Sequence, residues 1–347
     1  MELSTKPIKL YQDNGYVNYK GIFETGYPFI LILSGRGPGK TVNCLKYHTE
    51  NNDRYILLRR TATIVDTLKD PSMSPLNRMN ELWPELSSTL EKTEIGANII
   101  RDSTKEQVGL FMPLSTFSKA RGFSAESYTV QIYDEVVPQL DERPLKGEYT
   151  KWYQSYETVN RNREIEDPPR PPLRTIFLGN LDNIVAPMLV GLNVCREIYE
   201  MQKKDIEQLY LPERNLAIFL LLHSPIVKEK AKKQAINKLT GNSRDHDVNV
   251  KMNWVFDDTL IERKDLKGYV FKAGFGGINV YRHKGTKEYY VTERKIKDGE
   301  TYEIKDRELT IFRREYRHLI DSYYDGDIRF SDPLNLALFL SYFNLKM

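Results

Sequence analysis

Phe29-Ile30-Leu31-Ile32-Leu33-Ser34-Gly35-Arg36-Gly37-Pro38-Gly39-Lys40-Thr41 is an apolar run that breaks into a glycine-rich turn and ends in Lys-Thr. Its reading decides the fold. An apolar run of this length, followed by Gly and Pro, suits a strand buried on both faces of a parallel sheet. The glycines at 35, 37 and 39 let backbone N–H groups turn inward around phosphates. A helix opening at Lys40 would add its positive end to the same anion. Lys40 then brings a mobile cation to the terminal phosphates, and the Thr41 hydroxyl offers a ligand to Mg²⁺. ATP and Mg²⁺ are therefore the expected cofactors. The pattern G-x-x-x-x-G-K-[ST] would place its first glycine at Ser34, one residue short of a full match.

Outward from this loop, further apolar runs stand at Tyr55–Leu58, Leu110–Met112, Thr129–Tyr133, Thr175–Leu178 and Ala217–Leu222, each bounded by Gly, Pro or charged residues. Helical patterns lie between them, as at Val42–Glu50 and Tyr149–Arg163. Alternating strand and helix predicts an α/β domain with a mainly parallel sheet over residues 1–224. The Asp167-Pro168-Pro169-Arg170-Pro171-Pro172 stretch breaks any helix before the next strand. Residues 225–247 read as a basic helical linker, in which Lys228, Lys230, Lys232, Lys233 and Lys238 face a single acid, Glu229. Residues 248–347 change to Tyr-rich alternation at Gly268–Ala273, Ile278–Arg282 and Glu288–Glu293, with Lys284-Gly285 as a hairpin turn. A helix over Arg307–Tyr323 and an apolar segment over Pro333–Phe343 complete a smaller α+β domain.

Composition limits the function classes without choosing among them. The 347 residues are 40% hydrophobic and 29% charged, the profile of an ordinary globular protein large enough for two domains. Only Cys44 and Cys195 are present, so a disulfide framework is not expected and a reducing compartment fits better. Residues 1–14 hold no apolar signal region, and the longest apolar runs, such as Leu336–Leu340, are too short to span a bilayer, so no membrane partner is expected. The net charge of +3 neither announces nor excludes nucleic acid. The histidines at 48, 223, 246, 283 and 318 show no metal-ligand spacing, and Arg244-Asp245-His246-Asp247 reads as a solvated turn.

Catalytic candidates cluster after the apolar run that ends at Tyr133. Asp134 and Glu135 follow it, and adjacent strand residues point to opposite faces, so the two acids are expected to do different work. Asp134 would hold the Mg²⁺ shell, and Glu135 would orient and polarise an attacking water. Asn180 ends another strand, where it would touch the γ-phosphate or the water, or equally start a turn. Arg161 and Arg163 end a helix, a place that suits a solvated cation as well as an arginine finger. Arg59-Arg60 carries the same ambiguity. Phe117-Ser118-Lys119-Ala120-Arg121-Gly122-Phe123 is a basic loop that reads as an exposed loop or, through Lys119 and Arg121, as a DNA-backbone contact. Lys232 and Lys233 of the linker are further DNA candidates.

In this order these residues resemble the genome-packaging (encapsidation) ATPases of small, short-tailed, protein-primed phages, compact relatives of large terminase subunits. The likeness runs through Gly35–Thr41, Tyr55–Arg60, Met112–Ser115, Ile132–Glu135, Thr158–Glu164 and Leu178–Asn180, and weakly into Tyr324–Phe330. It implies an ASCE-type ATPase in a homo-pentameric ring that pumps double-stranded DNA through a portal into an empty capsid. It also implies a host-cytoplasmic protein docked transiently on the portal vertex, with a packaging RNA as a further candidate partner. Arg161 falls where the family carries its trans-acting finger, Arg36 at its P-loop arginine, and Arg121 at a basic residue of the DNA-side loop. Thr61-Ala62 lacks the basic residue expected after Arg59-Arg60. The C-terminal domain resembles the RNase H-like domain of terminases. Two-metal cleavage needs carboxylates converging from adjacent strands, and Gly268–Ala273 has none to join Asp325, Asp327 and Asp332. A vestigial nuclease is expected. The alternatives from other classes are a different P-loop translocase or helicase, and a nucleotide-gated DNA-binding or scaffold protein with little hydrolysis.

Overall fold

The structure, a computed structural model, describes residues 3–120, 126–139, 142, 144–233, 235, 259–296, 299–303 and 305–345. Arg121 and residues 236–258, which include most of the expected linker, lie outside them. The chain divides into two compact units, Met1–Asn183 with Glu200–Asn253, and Ile184–Tyr199 with Trp254–Met347.

In the first unit the strands are β1 (Phe29–Ser34), β2 (Tyr55–Arg59), β3 (Ser88–Lys92), β4 (Ala97–Arg101), β5 (Gln107–Pro113), β6 (Val130–Asp134), β7 (Arg174–Asn180), β8 (Gln208–Leu211) and β9 (Leu216–Leu220). They form one nine-stranded sheet in the order β3-β4-β5-β2-β6-β7-β1-β9-β8. Pairing is parallel from β5 through β2, β6, β7 and β1 to β9. Antiparallel strands close the two edges. The helices are α1 (Tyr19–Phe23), α2 (Lys40–Glu50), α3 (Ala62–Leu68), α4 (Asn77–Leu82) and α5 (Glu148–Asn160), with α6 (Pro187–Gly191), α7 (Cys195–Lys203) and α8 (Pro225–Lys233) further along the chain. Strands β2, β6 and β9 are buried at every position, as mainly apolar runs suit a sheet covered on both faces; Gln131, inside β6, is buried on hydrogen bonds with Ser155 and Trp152. Ile30, Ile32, Leu57, Ile132, Ile176 and Phe219 pack with Cys44 and Leu45 of α2 in one core.

Strand order positions the site. The register sets Ser34 of β1 against Asn180 of β7, and Leu178 of β7 against Asp134 of β6. The carboxyl ends of three neighbouring parallel strands thus deliver the phosphate loop, Asn180 and the acid pair to one edge, where open α/β sheets bind ligands.

Helix α5 ends at Asn160, earlier than the pattern suggests, because Arg161 adopts φ 47° and ψ −126° and stops it. In the second unit β10 (Tyr269–Phe275), β11 (Ile278–His283) and β12 (Tyr289–Thr292) form an antiparallel meander. Strands β13 (Thr301–Tyr302) and β14 (Ile328–Phe330) add in parallel to its two edges, beside β10 and β12. The expected helix over Arg307–Tyr323 is two helices, α9 (Asp306–Glu315) and α10 (His318–Tyr324). Tyr316 between them leaves helical geometry, stacks on Phe312 and donates its hydroxyl to the Lys272 carbonyl at 3.1 Å. The last apolar segment is α11 (Pro333–Tyr342), capped by the Asp332 carboxylate on the Asn335 N–H. That carboxylate also pairs with Arg196 at 2.8 Å, which ties the Ile184–Tyr199 segment into this unit.

Candidate nucleotide site

The loop of residues 34–41 turns on two glycines with positive φ, Gly37 at 104° and Gly39 at 86°, a region that side chains with a Cβ avoid. Gly39 caps α2, so the first N–H groups of that helix face the loop. Tyr19 supports the turn from behind by donating its hydroxyl to the Pro38 carbonyl at 3.1 Å.

Lys40 is folded back into this cradle. Its ammonium donates to Ser34 Oγ, to the Gly35 carbonyl at 3.2 Å and to Asn180 Oδ1 at 3.0 Å. Ser34, standing where the sequence pattern has its first glycine, thus serves as a partner for the lysine. Burial lowers the Lys40 pKa to about 8, against the opposing pull of Asp134, Asp182 and Glu135, while Arg36 adds to the lowering. A buried cation held by neutral oxygens is poised to exchange them for anionic ones.

Thr41 Oγ1 donates to both carboxylate oxygens of Asp134, at 3.0 and 2.9 Å. A hydroxyl and a carboxylate meeting beside a phosphate loop are hard oxygen donors of the kind Mg²⁺ takes, one or two from protein and the rest from substrate and water. These residues fit that ion. Among the described residues there is no cluster of three or more His, Cys, Asp or Glu that would hold a metal without such help.

Glu135 corrects one inference drawn from strand alternation. It lies just past the end of β6 with φ 58°, a left-handed turn that swings its side chain back, so that both acids line the same cleft. They also share a cation, since Arg59 sits 2.6 Å from Asp134 and 2.5 Å from Glu135. Asp134 is buried, while the Glu135 side chain is 45% exposed.

The cleft has a volume of about 300 Å³ and is lined by residues 36–42, Asp134, Glu135, Gly179 and Asn180. Arg36 is exposed at its mouth and donates to Gln139 Oε1 at 3.1 Å. The structure therefore brings together Gly37, Gly39, Lys40, Thr41, Asp134, Glu135, Arg36 and Asn180, with Gly35 as a carbonyl partner of Lys40.

Arg161 stands elsewhere. It lies 3.4 Å from Glu126, ahead of the first residue of β6, whereas the cleft lies past the last one. Five strand residues separate the two ends, about 17 Å. Its side chain is 42% exposed. Arg163 is buried instead, donating to the carbonyls of Glu126 at 2.9 Å and of Tyr128. Lys119 and Lys232 are exposed, and Lys233 pairs with Glu229 at 2.5 Å.

Two features escaped the sequence reading. Arg59 is a buried partner of Asp134 and Glu135, and Arg60 is buried on Glu142, Glu148 and the Glu135 carbonyl, because β2 is the neighbour of β6, and no local signal reports that adjacency. Asp182, just past Asn180, is buried with one carboxylate oxygen lacking a hydrogen-bond partner. Burial raises its pKa, while Arg36 and Lys40 pull it down.

Fold and site together define an α/β protein with a P-loop-type cleft at the carboxyl edge of its larger sheet and a second, smaller sheet. Within that class the chain is similar to two solved structures of phage packaging machinery. The Phi-28 gp11 DNA packaging motor shares 15% identity and a TM-score of 0.62, over 96% of this chain and 100% of that one. The bacteriophage Phi-29 viral genome packaging motor assembly shares 14% identity and a TM-score of 0.59, over 95% and 98%. At these identities the likeness establishes the fold, and it is the fold of the phage packaging ATPases that the sequence resembles. No family model and no curated protein matches the chain.

Proposed function

We propose that this chain is an ATP-hydrolysing translocase that drives double-stranded DNA through a portal into an empty capsid. The observation that carries the reading is the contact of Thr41 with Asp134 beside Lys40, with Glu135 on the same cleft wall. Lys40 and Arg36 would neutralise the phosphates, and Asn180 would reach the terminal phosphate or the water. Thr41 and Asp134 would hold Mg²⁺, which supplies charge neutralisation on the transferred phosphoryl group. Glu135, partly exposed to solvent, orients the water and takes its proton. A pure nucleotide switch has little need of a carboxylate there.

Fold likeness over nearly the whole chain to a DNA packaging motor and a viral genome packaging motor assembly supports DNA as the cargo and an oligomer docked on a procapsid. The portal vertex, the host cytoplasm and a packaging RNA as a further partner are proposed on the sequence resemblance alone. Among the described residues no helix is long and apolar enough to cross a membrane. A pentameric ring would place Arg161, far from its own cleft, against the nucleotide of a neighbour. Lys119, Arg121, Lys232 and Lys233 are the proposed DNA contacts. The C-terminal unit is read as a vestigial nuclease, since β10 carries no acid and Asp332 is committed to Arg196 and the α11 cap.

The direct test is Glu135→Gln, which should bind ATP as the wild type does and lose turnover by roughly 10²–10⁴-fold. Lys40→Ala should lose binding as well. ATPase activity should rise when empty capsids and genomic DNA are added together. Turnover of Glu135→Gln within a few-fold of wild type would remove Glu135 from the mechanism.

A further inference from the structure

Pro38 has no N–H to offer a phosphate, so the peptide that joins it to Gly39 can donate only through the Gly39 N–H. That peptide is trans, and in a trans peptide the carbonyl and the N–H point in opposite directions. Whatever holds the Pro38 carbonyl therefore sets the aim of the Gly39 N–H. Tyr19 holds it, donating its hydroxyl to that carbonyl at 3.1 Å from a position only 4% exposed. Gly39 lines the cleft, and Tyr19 does not.

Gly39 is pinned from its other end as well. Its carbonyl accepts from the Asn43 N–H at 3.0 Å and from Asn43 Nδ2 at 2.9 Å. Tyr19 thus fixes the peptide before this glycine, and Asn43 fixes the one after it. Tyr19 is itself a firm post. It opens α1, whose cap, Asn18, accepts from the Gly21 N–H at 3.0 Å. Asn18 also donates to the carbonyls of Lys9 at 3.0 Å and Leu10 at 2.8 Å, which ties the helix start to the segment before it. The Tyr19 ring stacks on Phe23 with centroids 6.1 Å apart and packs in the core with Ile22 and Leu45. Burial pushes the hydroxyl pKa well up, so the group stays protonated and stays a donor. The packing asks only for a ring, whereas the hydroxyl is spent on the loop.

We propose that Tyr19 is a positioning residue for the nucleotide phosphates: its hydroxyl holds the Pro38–Gly39 peptide so that the Gly39 N–H faces into the cradle. The inference rests on the cleft binding a nucleotide polyphosphate. Without the hydroxyl the buried Pro38 carbonyl loses its donor, and the peptide is free to turn the N–H away from the phosphates.

The test is Tyr19→Phe in the full-length chain, which keeps the ring and removes one hydroxyl. Loss of one well-aimed neutral donor should raise the ATP dissociation constant roughly three- to tenfold. A donor that serves ground state and transition state alike affects affinity and not turnover, so kcat should hold within about twofold. The second readout is exchange of the Gly39 amide proton, followed by NMR in glycine-labelled protein. ATP should slow that exchange in the wild type and slow it far less in Tyr19→Phe. A merely structural role would lower the melting midpoint equally with and without ATP and leave affinity and Gly39 protection unchanged, and that result would overturn the proposal. A fall in kcat at unchanged affinity would overturn it too. A wild type that binds no ATP sinks the nucleotide reading itself, whereas equal affinity in Tyr19→Phe and a binding wild type sinks the role of Tyr19 alone.

Discussion

Lys40 is buried without an anion against its ammonium, and its pKa stands at about 8 in place of 10.5. A polyphosphate would supply that anion and favour the charged form, so nucleotide binding should take up a proton wherever the free lysine has lost it. With a free-state pKa near 8, about nine-tenths of the molecules are charged at pH 7 and about one-tenth at pH 9. Affinity for ATP should therefore weaken about tenfold between pH 7 and pH 9. The last proton of the terminal phosphate, with a pKa of about 6, is mostly lost by pH 7, so the nucleotide contributes little slope across that window. The measurement is titration with a fluorescent nucleotide at constant ionic strength, with Lys40→Arg as the control, because its guanidinium stays charged and any affinity it keeps should be flat in pH. Stability of the nucleotide-free protein should move the other way. The folded-state pKa lies below the unfolded one, so between pH 8 and 10.5 the unfolded chain binds more protons and stability rises with pH. Lowering by about 2.5 units corresponds to at most about 3 kcal/mol, restored across that range. An affinity constant within twofold from pH 7 to pH 9 would refute the reasoning.

Arg161→Ala and Lys40→Ala should each be nearly inactive, yet mixed rings should regain ATPase activity, because some interfaces then pair an intact loop with an intact arginine; no gain in rings shown to be mixed would end the trans assignment. DNA binding should be sequence-independent and fall with salt at about −0.9 per neutralised phosphate, and charge removal at Lys119 and Arg121 should flatten that slope by roughly two at most. An unchanged slope would move the DNA contact elsewhere. With Mg²⁺ or Mn²⁺ the purified protein should leave linear and supercoiled DNA uncut, and metal-dependent cleavage lost on changing Asp325 or Asp327 would overturn the vestigial-nuclease reading.

The phosphate loop was legible in the sequence because its chemistry is local. Gly37, Gly39, Lys40 and Thr41 are neighbours in the chain, and the strand before them and the helix after them are set by apolar runs and by the break between. The strands β2, β6, β7 and β9 were legible for the same reason, since a strand covered on both faces is mainly apolar. Helix ends were less so: Arg161 and Tyr316 stop their helices by backbone conformations that their residue types do not announce. Strand order was not written in any local pattern. Only the assembled sheet sets β7 between β1 and β6, so that Asn180 meets Lys40 across 140 positions of sequence, and sets β2 beside β6, so that Arg59 meets Asp134 and Glu135. A charged side chain in sequence carries no sign of whether it will face water or another charge. Arg59 and Arg161 both end regular elements, yet one is buried between two acids and the other is exposed at the opposite end of the sheet. That difference is made by which segments pack around each side chain, and therefore by the tertiary structure alone.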